Sequence, residues 1–242
     1  MLADLRAAFA FLTTLPVGYA EPRRPGHLFA WFPLVGGVIG LVLWGVALIP
    51  WPVTQVSALA VLVAWVLLTG GLHLDGFGDS CDGLLAMVTP ERRLEIMKDP
   101  RTGTWAVVGL VLVLLGKFVL IGVVAPVWLL AAPVMGRTAM VLAAYGFPHA
   151  RTAGLGVYYR DGLGWNQLAA ALLFTVAMLA AAGWLLDLRV LLAPGVLLFT
   201  VWAFGRWAAA RLGGGLTGDS YGAICELSEV GCLLLALFFA PM

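Results

Sequence analysis

The sequence predicts an all-α integral membrane protein, a polytopic bundle of about seven transmembrane helices. Hydrophobic residues make up 62% of its 242 residues and charged residues only 11%, whereas roughly 25% charged residues is usual in soluble domains. The mean hydropathy is +1.00. Seven nearly uncharged runs each reach about 20 residues, the length that a helix needs to cross the hydrocarbon core of a bilayer. Because these runs are continuous and do not alternate, the pattern argues against a transmembrane β-barrel.

The seven predicted spans follow one another from near the N-terminus to the C-terminus, at residues 28–49, 53–72, 104–125, 126–148, 166–186, 190–210 and 223–241. Before the first span, Leu5, Phe9 and Leu12 fall on one helical face, which predicts a short helix lying along the membrane surface. Asp4 precedes Arg6 and no cleavage site follows, so we interpret this segment as retained. No repeat or linker divides the chain, which predicts a single domain over residues 1–242.

Basic residues are distributed unequally between the two sides of the membrane. If the loops alternate in side from the N-terminus, one side receives ten of the fourteen basic residues and the other receives Arg189 alone. By the positive-inside rule the basic side is cytoplasmic. The ten are Arg6, Arg23, Arg24, Arg92, Arg93, Lys98, Arg101, Arg151, Arg160 and Arg211. The same alternation places every polar motif on that side, so we expect one site there.

Composition also excludes some classes of function. The net charge is only +1, and neither a basic tail nor zinc-finger spacing is present, so no nucleic-acid partner is expected. The partner that composition does predict is the lipid bilayer. Cys81, Cys225 and Cys232 lack CxxC spacing, and we interpret them as buried apolar filler, with a site contact open only for Cys81.

An acidic segment, HLDGFGDSCDG at residues 73–83, follows the second span. In a helix, Asp75, Asp79 and Asp82 fall at i, i+4 and i+7 on one face. Neighbouring carboxylates would lie about 5–6 Å apart and repel by about 3 kcal/mol per pair. Oxygen ligands on a shared face suit Mg²⁺, with waters and phosphates completing its shell, so we expect a divalent cation; the alternative is a solvated polar loop. His73 would lie off this face, as an orienting group, a base or an ordinary interfacial histidine.

Basic residues accompany this segment. Lys98 and Arg101 precede the third span, and the planar guanidinium of Arg101 suits a bidentate phosphate contact; the alternative is an ordinary membrane-flanking cluster. Lys117 and Arg137 lie deep inside predicted spans, where a charge needs a partner. We expect these two to pair with acids or to bind phosphates. Arg151 lies in a segment that we interpret as an ordinary loop rather than a substrate lid.

A second acidic element, GLTGDSYGAICELSE, covers residues 215–229. A helix would present Asp219, Glu226 and Glu229 roughly on one side. The two glutamates fall at the start of the last span, where an ionised acid without a partner costs about 2.5–3.5 kcal/mol or more. The preceding triple glycine lacks the P-loop signature, so only its glycine content suggests a phosphate cradle. Two acidic clusters with several cations on one membrane face predict metal-assisted transfer at a diphosphate.

Three motifs closely resemble those of the cobalamin synthase family, the adenosylcobinamide-GDP ribazoletransferases: GGLHLDGFGDSCDGLLA, EIMKDPRTGTWAVVGLVLVLLGKFVLI and GLTGDSYGAICELSE. The upstream stretches FLTTLPVG and WFPLVGGVIG are similar to the opening segments of that family, so the resemblance covers nearly the whole chain in order. Two positions depart from the pattern. Pro100 stands where Ser is expected, and Ala106 stands where Gly is common.

The resemblance implies an Mg²⁺-dependent enzyme at the cytoplasmic face of a bacterial inner membrane. A ribose hydroxyl of α-ribazole, or of its phosphate, would attack the cobinamide-linked phosphate of adenosylcobinamide-GDP and release GMP. Asp75, Asp79 and Asp82 would hold Mg²⁺, and one of them or His73 would take the hydroxyl proton. Asp219 and Glu226 would form an opposing acidic wall. The remaining expected substrate-binding residues are Lys98, Arg101, Lys117, Arg137, Thr217 and Gly218.

Two alternatives remain beside the resemblance. A CDP-alcohol phosphotransferase would have a DG-x-x-AR motif, and the required Ala-Arg is missing after Asp75-Gly76. A divalent-cation or metabolite transporter would line its path with intramembrane charges and would show inverted repeats, which we do not find. A homo-oligomer, or an association with other corrinoid-assembly enzymes, is a further expectation.

Overall fold

The computed structural model describes residues 1–18 and 20–239, and within them it contains helices and no strand. The α-helices in this part of the chain are α1 Leu2–Leu12, α2 Phe32–Ala47, α3 Thr54–Thr69, α4 Leu72–Leu85, α5 Pro90–Ile96, α6 Thr104–Ile121, α7 Trp128–Gly146, α8 Leu155–Tyr158, α9 Trp165–Leu185, α10 Ala193–Arg211 and α11 Gly218–Leu237. Two 3₁₀ segments, Pro25–Trp31 and Leu188–Leu192, lead into α2 and α10. The predicted all-α fold is confirmed.

Six helical segments in the described chain are long and apolar enough to cross a membrane: Pro25–Ala47, α6, α7, α9, Leu188–Arg211 and α11. Helices α3 and α4 meet at 88° and count as a seventh, broken span when taken together. The predicted number of about seven agrees with this architecture. The last helix begins at Gly218, five residues before the predicted span, because the side chain of Thr217 accepts a hydrogen bond from the backbone N–H of Ser220 and caps it.

The bend between α3 and α4 decides where the acidic segment lies. Gly70 and Gly71 both have positive φ angles, 61° and 71°, which end α3 and start α4 in a new direction. The second predicted span therefore ends at Thr69, and α4 forms a separate helix that carries the three aspartates.

Helix α7 forms the centre of the bundle. It packs mainly against α2 and α11, and also against α9 and α10. Many of its buried residues are small, among them Ala132, Gly136 and Ala139, and small side chains let neighbouring helices approach closely. Exposed apolar side chains such as Leu112, Leu173 and Phe199 cover the outer helices, as expected for a surface that faces hydrocarbon.

The loops that were predicted to share one side of the membrane meet at one end of the bundle. The N-terminal segment joins the end of α3 through Thr14, whose N–H donates to the carbonyl of Leu68 at 2.8 Å. The N–H of Gly26 donates to the carbonyl of Asp161 at 2.6 Å. We call this end of the molecule the polar end.

Helix α1 is present as predicted and is fixed to the following segment by a buried carboxylate. Asp4 accepts hydrogen bonds from the backbone N–H and the Nε of Arg23, at 2.9 and 3.0 Å. Burial by itself would raise the pKa of Asp4, but the hydrogen bonds from Arg23 hold it below its ordinary value. The N-terminal helix is thus attached to the bundle by a charged contact as well as by apolar packing.

Candidate active site

The three aspartates of α4 lie at the polar end but have different surroundings. Asp75 is exposed, whereas Asp79 and Asp82 are half-buried. Within residues 1–18 and 20–239, no hydrogen bond or ion pair engages the carboxylate of Asp75 or Asp79. Asp79 is close enough to Asp75, Asp82 and Asp219 to be repelled by all three, and it is attracted by Arg151. Two carboxylates are therefore available to a ligand from outside the chain.

Asp82 is engaged by the next helix. Its two carboxylate oxygens accept hydrogen bonds from the backbone N–H groups of Gly103 and Ala106, at 2.7 and 2.9 Å. These are amides at the N-terminus of α6, which have no partner within their own helix and favour a negative charge. Ala106 supplies only its backbone here, so an alanine in place of the common glycine retains the contact. Asp82 thus fastens α4 to α6.

Asp219 joins the α4 carboxylates because α4 and α11 pack closely together. A Cβ atom at Gly76 would lie 3.0 Å from the backbone of Asp219, so only glycine fits there without displacing the neighbouring helix. Asp219 also accepts a hydrogen bond from the hydroxyl of Thr217, at 3.2 Å. The two acidic elements, separated by more than a hundred residues in sequence, therefore come together as predicted for Asp219.

Arg151 is the functional candidate that the sequence analysis underestimated. Its Nη2 lies 3.4 Å from the Oδ2 of Asp219, and its side chain is largely buried. Two backbone hydrogen bonds position it, from Ala150 N–H to the carbonyl of Leu216 at 2.8 Å and from Leu216 N–H to the carbonyl of Pro148. The alternation of loops predicted that this segment lies at the same end of the molecule as the aspartates. No sequence pattern distinguishes Arg151 from the other loop arginines.

The oxygen donors are suited to a hard divalent cation, although they do not enclose one. Among the described residues, no group of three His, Cys, Asp or Glu side chains is arranged to hold a metal ion by itself. Asp75, Asp79 and Asp219 offer carboxylate oxygens, the donor type that Mg²⁺ prefers, and Mg²⁺ usually takes further ligands from waters and substrate phosphates. The donor set fits Mg²⁺ when a phosphate completes its coordination.

A second group of charges lies in the interior of the bundle. The Nζ of Lys117 on α6 is 2.6 Å from Glu226 and 2.5 Å from Glu229, and Arg137 on α7 pairs with Glu229. Lys117 also lies over the ring of Trp65, 4.3 Å from its centroid. Two cations and two anions neutralise one another here, as charges inside a membrane require. We call Lys117, Arg137, Glu226 and Glu229 the buried ion network.

This network corrects the expected position of Glu226 and shows which of two expected arrangements Lys117 and Arg137 adopt. The sequence analysis placed Glu226 in an acidic wall with Asp219, but Glu226 lies seven residues further along α11, roughly 10 Å away along the axis, and pairs with Lys117. Lys117 and Arg137 were expected to pair with acids or to bind phosphates. The structure shows the first arrangement, and both cations are enclosed, at 3% and 0% exposure.

The cations before α6 form no hydrogen bond or ion pair with Asp75, Asp79, Asp82 or Asp219 within the described residues. Lys98 is exposed, and Arg101 is a solvent-facing residue that forms an ion pair with Asp99 at 2.6 Å. Hydrogen bonds from Arg101 lower the pKa of Asp99 to about 2. Arg101 thus contacts Asp99, and its contact with a phosphate stays a prediction.

Thr217 has a structural role at the start of α11, and Gly218 lies next to Asp219 in the lining of a cavity. The Thr217 hydroxyl is fully buried and caps the helix, whereas Gly218 is exposed. The preceding Gly213 and Gly214 have positive φ angles of 82° and 107°, and Gly215 passes so close to Ala150 that a Cβ would lie 2.7 Å from its nitrogen. Turn geometry and close approach thus account for the triple glycine without a phosphate.

His73 lies on α4 off the face that carries the aspartates, as predicted, and is buried. Its Nδ1 is 3.4 Å from the Nη2 of Arg137. Since a guanidinium only donates, the Nδ1 of His73 is the acceptor and the ring proton lies on Nε2. No hydrogen-bond partner for that Nε2 is found among the described residues. This arrangement leaves His73 as a donor rather than as a base.

Comparison with known proteins places this geometry in context. A model of the family described as cobalamin-5-phosphate synthase matches residues 4–237. The chain is 45% identical over 237 residues to the adenosylcobinamide-GDP ribazoletransferase of Pseudomonas syringae pv. syringae (strain B728a), covering 94% of this chain and 96% of that protein. It is 38% identical over 250 residues to the enzyme of the same name from Roseiflexus sp. (strain RS-1), covering 99% and 91%. No solved structure matches the chain.

Proposed function

The chain belongs to the cobalamin-5-phosphate synthase family, and on that premise we propose that it joins α-ribazole, or its phosphate, to the cobinamide phosphate of adenosylcobinamide-GDP. It is a transferase of cobalamin biosynthesis with several membrane helices. We further propose that it lies in the bacterial inner membrane with its polar end in the cytoplasm, because ten of the fourteen basic residues are in loops on that side.

The observation that carries the proposed chemistry is the pair of unengaged carboxylates, Asp75 and Asp79, beside Asp219. Most other acids at or near this end are already engaged, as Asp82 is by α6 and Asp99 by Arg101. The repulsion among crowded carboxylates that no protein cation fully neutralises is relieved either by a proton or by a cation from solution. A diphosphate substrate bound with such a cation would supply the ligands that the chain lacks.

The proposed reaction replaces a phosphoanhydride bond by a phosphoester bond at the cobinamide-linked phosphorus. The ribose hydroxyl oxygen forms a bond to that phosphorus, the bond from phosphorus to the bridging oxygen breaks, and GMP leaves with the electron pair. The hydroxyl proton passes to the carboxylate of Asp75, which is exposed and also lines the adjacent cavity. His73 does not take it, because the nitrogen that faces Arg137 is its only acceptor.

The other residues of the site orient the substrates and balance charge. Asp79 and Asp219 would hold Mg²⁺ together with phosphate oxygens, and Mg²⁺ would neutralise charge that develops on the leaving group. Arg151 balances the negative charge of Asp219 at 3.4 Å and is placed to contact the leaving phosphate. Asp82 keeps α4 fixed against α6, so that Asp79 retains its position.

The test is GMP release by the purified protein in detergent with adenosylcobinamide-GDP, α-ribazole and Mg²⁺. We expect Asp79→Asn to lower kcat by about a hundredfold or more, since one charge that acts in the transition state is removed. Asp82→Asn should lose much less activity, because an asparagine oxygen can still accept from the N-terminus of α6.

Glu95→Gln serves as the matched control. Glu95 is an exposed acid of the same end that pairs with Arg92, so its removal should leave kcat unchanged. Wild-type protein that releases no GMP with either acceptor would refute the proposed function. Equal losses in Asp79→Asn and Asp82→Asn would refute the assigned division of roles.

Neither alternative function, the CDP-alcohol phosphotransferase or the transporter, is supported. The relatives are named as ribazoletransferases rather than as CDP-alcohol phosphotransferases. The intramembrane charges that a transporter would use to line its path instead neutralise one another in the buried ion network.

A further inference from the structure

A cavity opens directly beside the carboxylates. Its volume is about 210 Å³, below the roughly 300–1,000 Å³ of sites that hold a whole drug-sized ligand, so it suits one ring system of a larger substrate. Asp75 and Asp219 line it, so a molecule bound there lies against the groups proposed to act on the substrate hydroxyl. The proposed reaction assigns no role to the rest of its lining.

Part of that lining is aromatic and comes from segments far apart in sequence. Phe11 from α1 and Tyr159 from the loop after α8 have ring centroids 4.8 Å apart, and Phe29 and Phe32 are 4.6 Å apart. Phe11 also stacks on Phe32 at 6.1 Å, so the four rings form one cluster. Phe29 and Phe32 are buried within it, at 4% and 0% exposure, and the half-buried Phe11 and Tyr159 carry the ring surface that a ligand can reach. We call Phe11, Phe29, Phe32 and Tyr159 the aromatic wall. Such a wall is suited to a flat apolar ring system.

One buried polar group of the cavity lacks a protein partner. His73 lines the cavity at 2% exposure, and Arg137 occupies its Nδ1. The proton on Nε2 has no acceptor among the described residues, and an unmet buried donor carries a desolvation cost. A ligand with an acceptor nitrogen at that point would remove the cost.

We propose that this cavity binds the heterocyclic base of the acceptor nucleoside, with the ring stacked on the aromatic wall and His73 Nε2–H donating to the unsubstituted ring nitrogen of the base. The assignment rests on the transferase function proposed above. The base of α-ribazole is a dimethylbenzimidazole, which combines an apolar edge with one acceptor nitrogen and no donor. Its ribose would then lie toward Asp75 and Asp219.

The guanine of the donor substrate fits this lining less well. Guanine carries several hydrogen-bond donors and acceptors along its edges. The cavity carboxylates that could accept from its N–H groups, Asp75 and Asp219, are the groups proposed to act on the hydroxyl and to hold Mg²⁺, so guanine would compete with the reaction for them. The cavity is therefore assigned to the acceptor, and the donor nucleotide has to bind outside it.

The first experiment measures binding without turnover. Titration of α-ribazole into the purified protein, with neither donor substrate nor Mg²⁺ present, should give a Kd about tenfold higher for Phe11→Ala than for wild type. Phe11 is half-buried, so its truncation should not prevent folding. Phe204→Ala is the matched control, because Phe204 is a half-buried aromatic residue on α10 that packs on Trp207, and its Kd should equal that of wild type.

The second experiment tests the hydrogen bond from His73. An indole riboside keeps the shape of the base but lacks the acceptor nitrogen, so wild type should bind it about tenfold more weakly than the matching benzimidazole riboside. His73→Leu should bind both nucleosides equally. His73→Gln retains an N–H near the position of Nε2 and should restore part of the difference, which a merely structural role for His73 would not do.

Each contrary result has a definite meaning. A preference for benzimidazole that persists in His73→Leu overturns the hydrogen bond. If Phe11→Ala weakens adenosylcobinamide-GDP and leaves the Kd of α-ribazole unchanged, the cavity binds the donor and the proposal is wrong. If His73→Leu does not fold, as judged by thermal unfolding in detergent, the Phe11→Ala titration decides alone. Wild type that binds α-ribazole as predicted but releases no GMP would refute the proposed reaction and leave the cavity assignment standing.

Discussion

At the residue scale, the three aspartates that share one face of α4 have different chemical roles. Asp82 is engaged by the backbone of Gly103 and Ala106, whereas Asp75 and Asp79 have no protein partner within the described residues. A helical spacing shows that side chains share a face, but not which of them a neighbouring helix will use. The metal site predicted for Asp75, Asp79 and Asp82 therefore becomes a proposal in which Asp79 and Asp219 hold the metal with phosphate oxygens and Asp75 takes the hydroxyl proton.

The buried ion network gives a prediction at the same scale. Lys117→Met should destabilise the protein by about 3–5 kcal/mol, because it leaves Glu226 and Glu229 buried with too little positive charge. Thermal unfolding in detergent measures the change. Arg92→Met, which breaks an exposed ion pair with Glu95, should not shift the unfolding midpoint measurably.

The same variant distinguishes a structural cation from a substrate-binding one. If Lys117 bound a substrate phosphate, Lys117→Met would fold with nearly wild-type stability and would show a raised KM for adenosylcobinamide-GDP. That result would contradict the arrangement in which Glu226 and Glu229 neutralise the charge of Lys117.

At the scale of elements, the contact between α4 and α11 builds the carboxylate cluster. Glycine has no Cβ and permits a close approach of a backbone or a ligand. At Gly76 the approaching group is the backbone of Asp219, so here the glycine serves helix packing.

Substitution of this glycine tests the contact. Gly76→Ala should push α11 away from α4 by a few tenths of an ångström or more, since its Cβ would lie 3.0 Å from Asp219. We expect kcat to fall by about tenfold to a hundredfold, because small displacements of reacting groups are costly. The GMP-release assay measures this loss.

Gly45→Ala is the matched control for the element-scale test. Gly45 lies in α2, and nothing within 4 Å would meet its Cβ, so alanine should leave kcat unchanged and slightly stabilise the helix. Full activity of Gly76→Ala would show that the position of Asp219 does not depend on this contact.

At the scale of the whole molecule, the loops that carry ten of the fourteen basic residues converge on the polar end. Lys98 belongs to the polar end, and Arg189 belongs to the connection between α9 and α10. The basic bias predicts that these two residues face opposite sides of the membrane, with Lys98 in the cytoplasm.

Cysteine labelling checks this orientation. A membrane-impermeant maleimide should label Lys98→Cys only in inverted vesicles and Arg189→Cys only in right-side-out vesicles. Cys225 and Cys232 are buried and should react little, and Cys81→Ala removes the half-buried third thiol. The reverse labelling pattern would place the site outside the cytoplasm.

The sequence by itself determined the fold class, the approximate number of spans and the family. Each of these depends on composition, on local periodicity or on contiguous motifs such as HLDGFGDSCDG, which do not require knowledge of which helices touch. The helical placement of Asp75, Asp79 and Asp82 followed from the same local rules.

Only the tertiary structure decided how the charges are shared. It brought Arg151 to Asp219, paired Lys117 with Glu226, and gathered four aromatic rings from separate segments into one wall. A charged side chain finds its partner across helices that are distant in sequence, and in a membrane interior it must find one. Spacing along the chain fixes the face on which a side chain lies, whereas the packing of α4, α6, α7 and α11 fixes what that face meets.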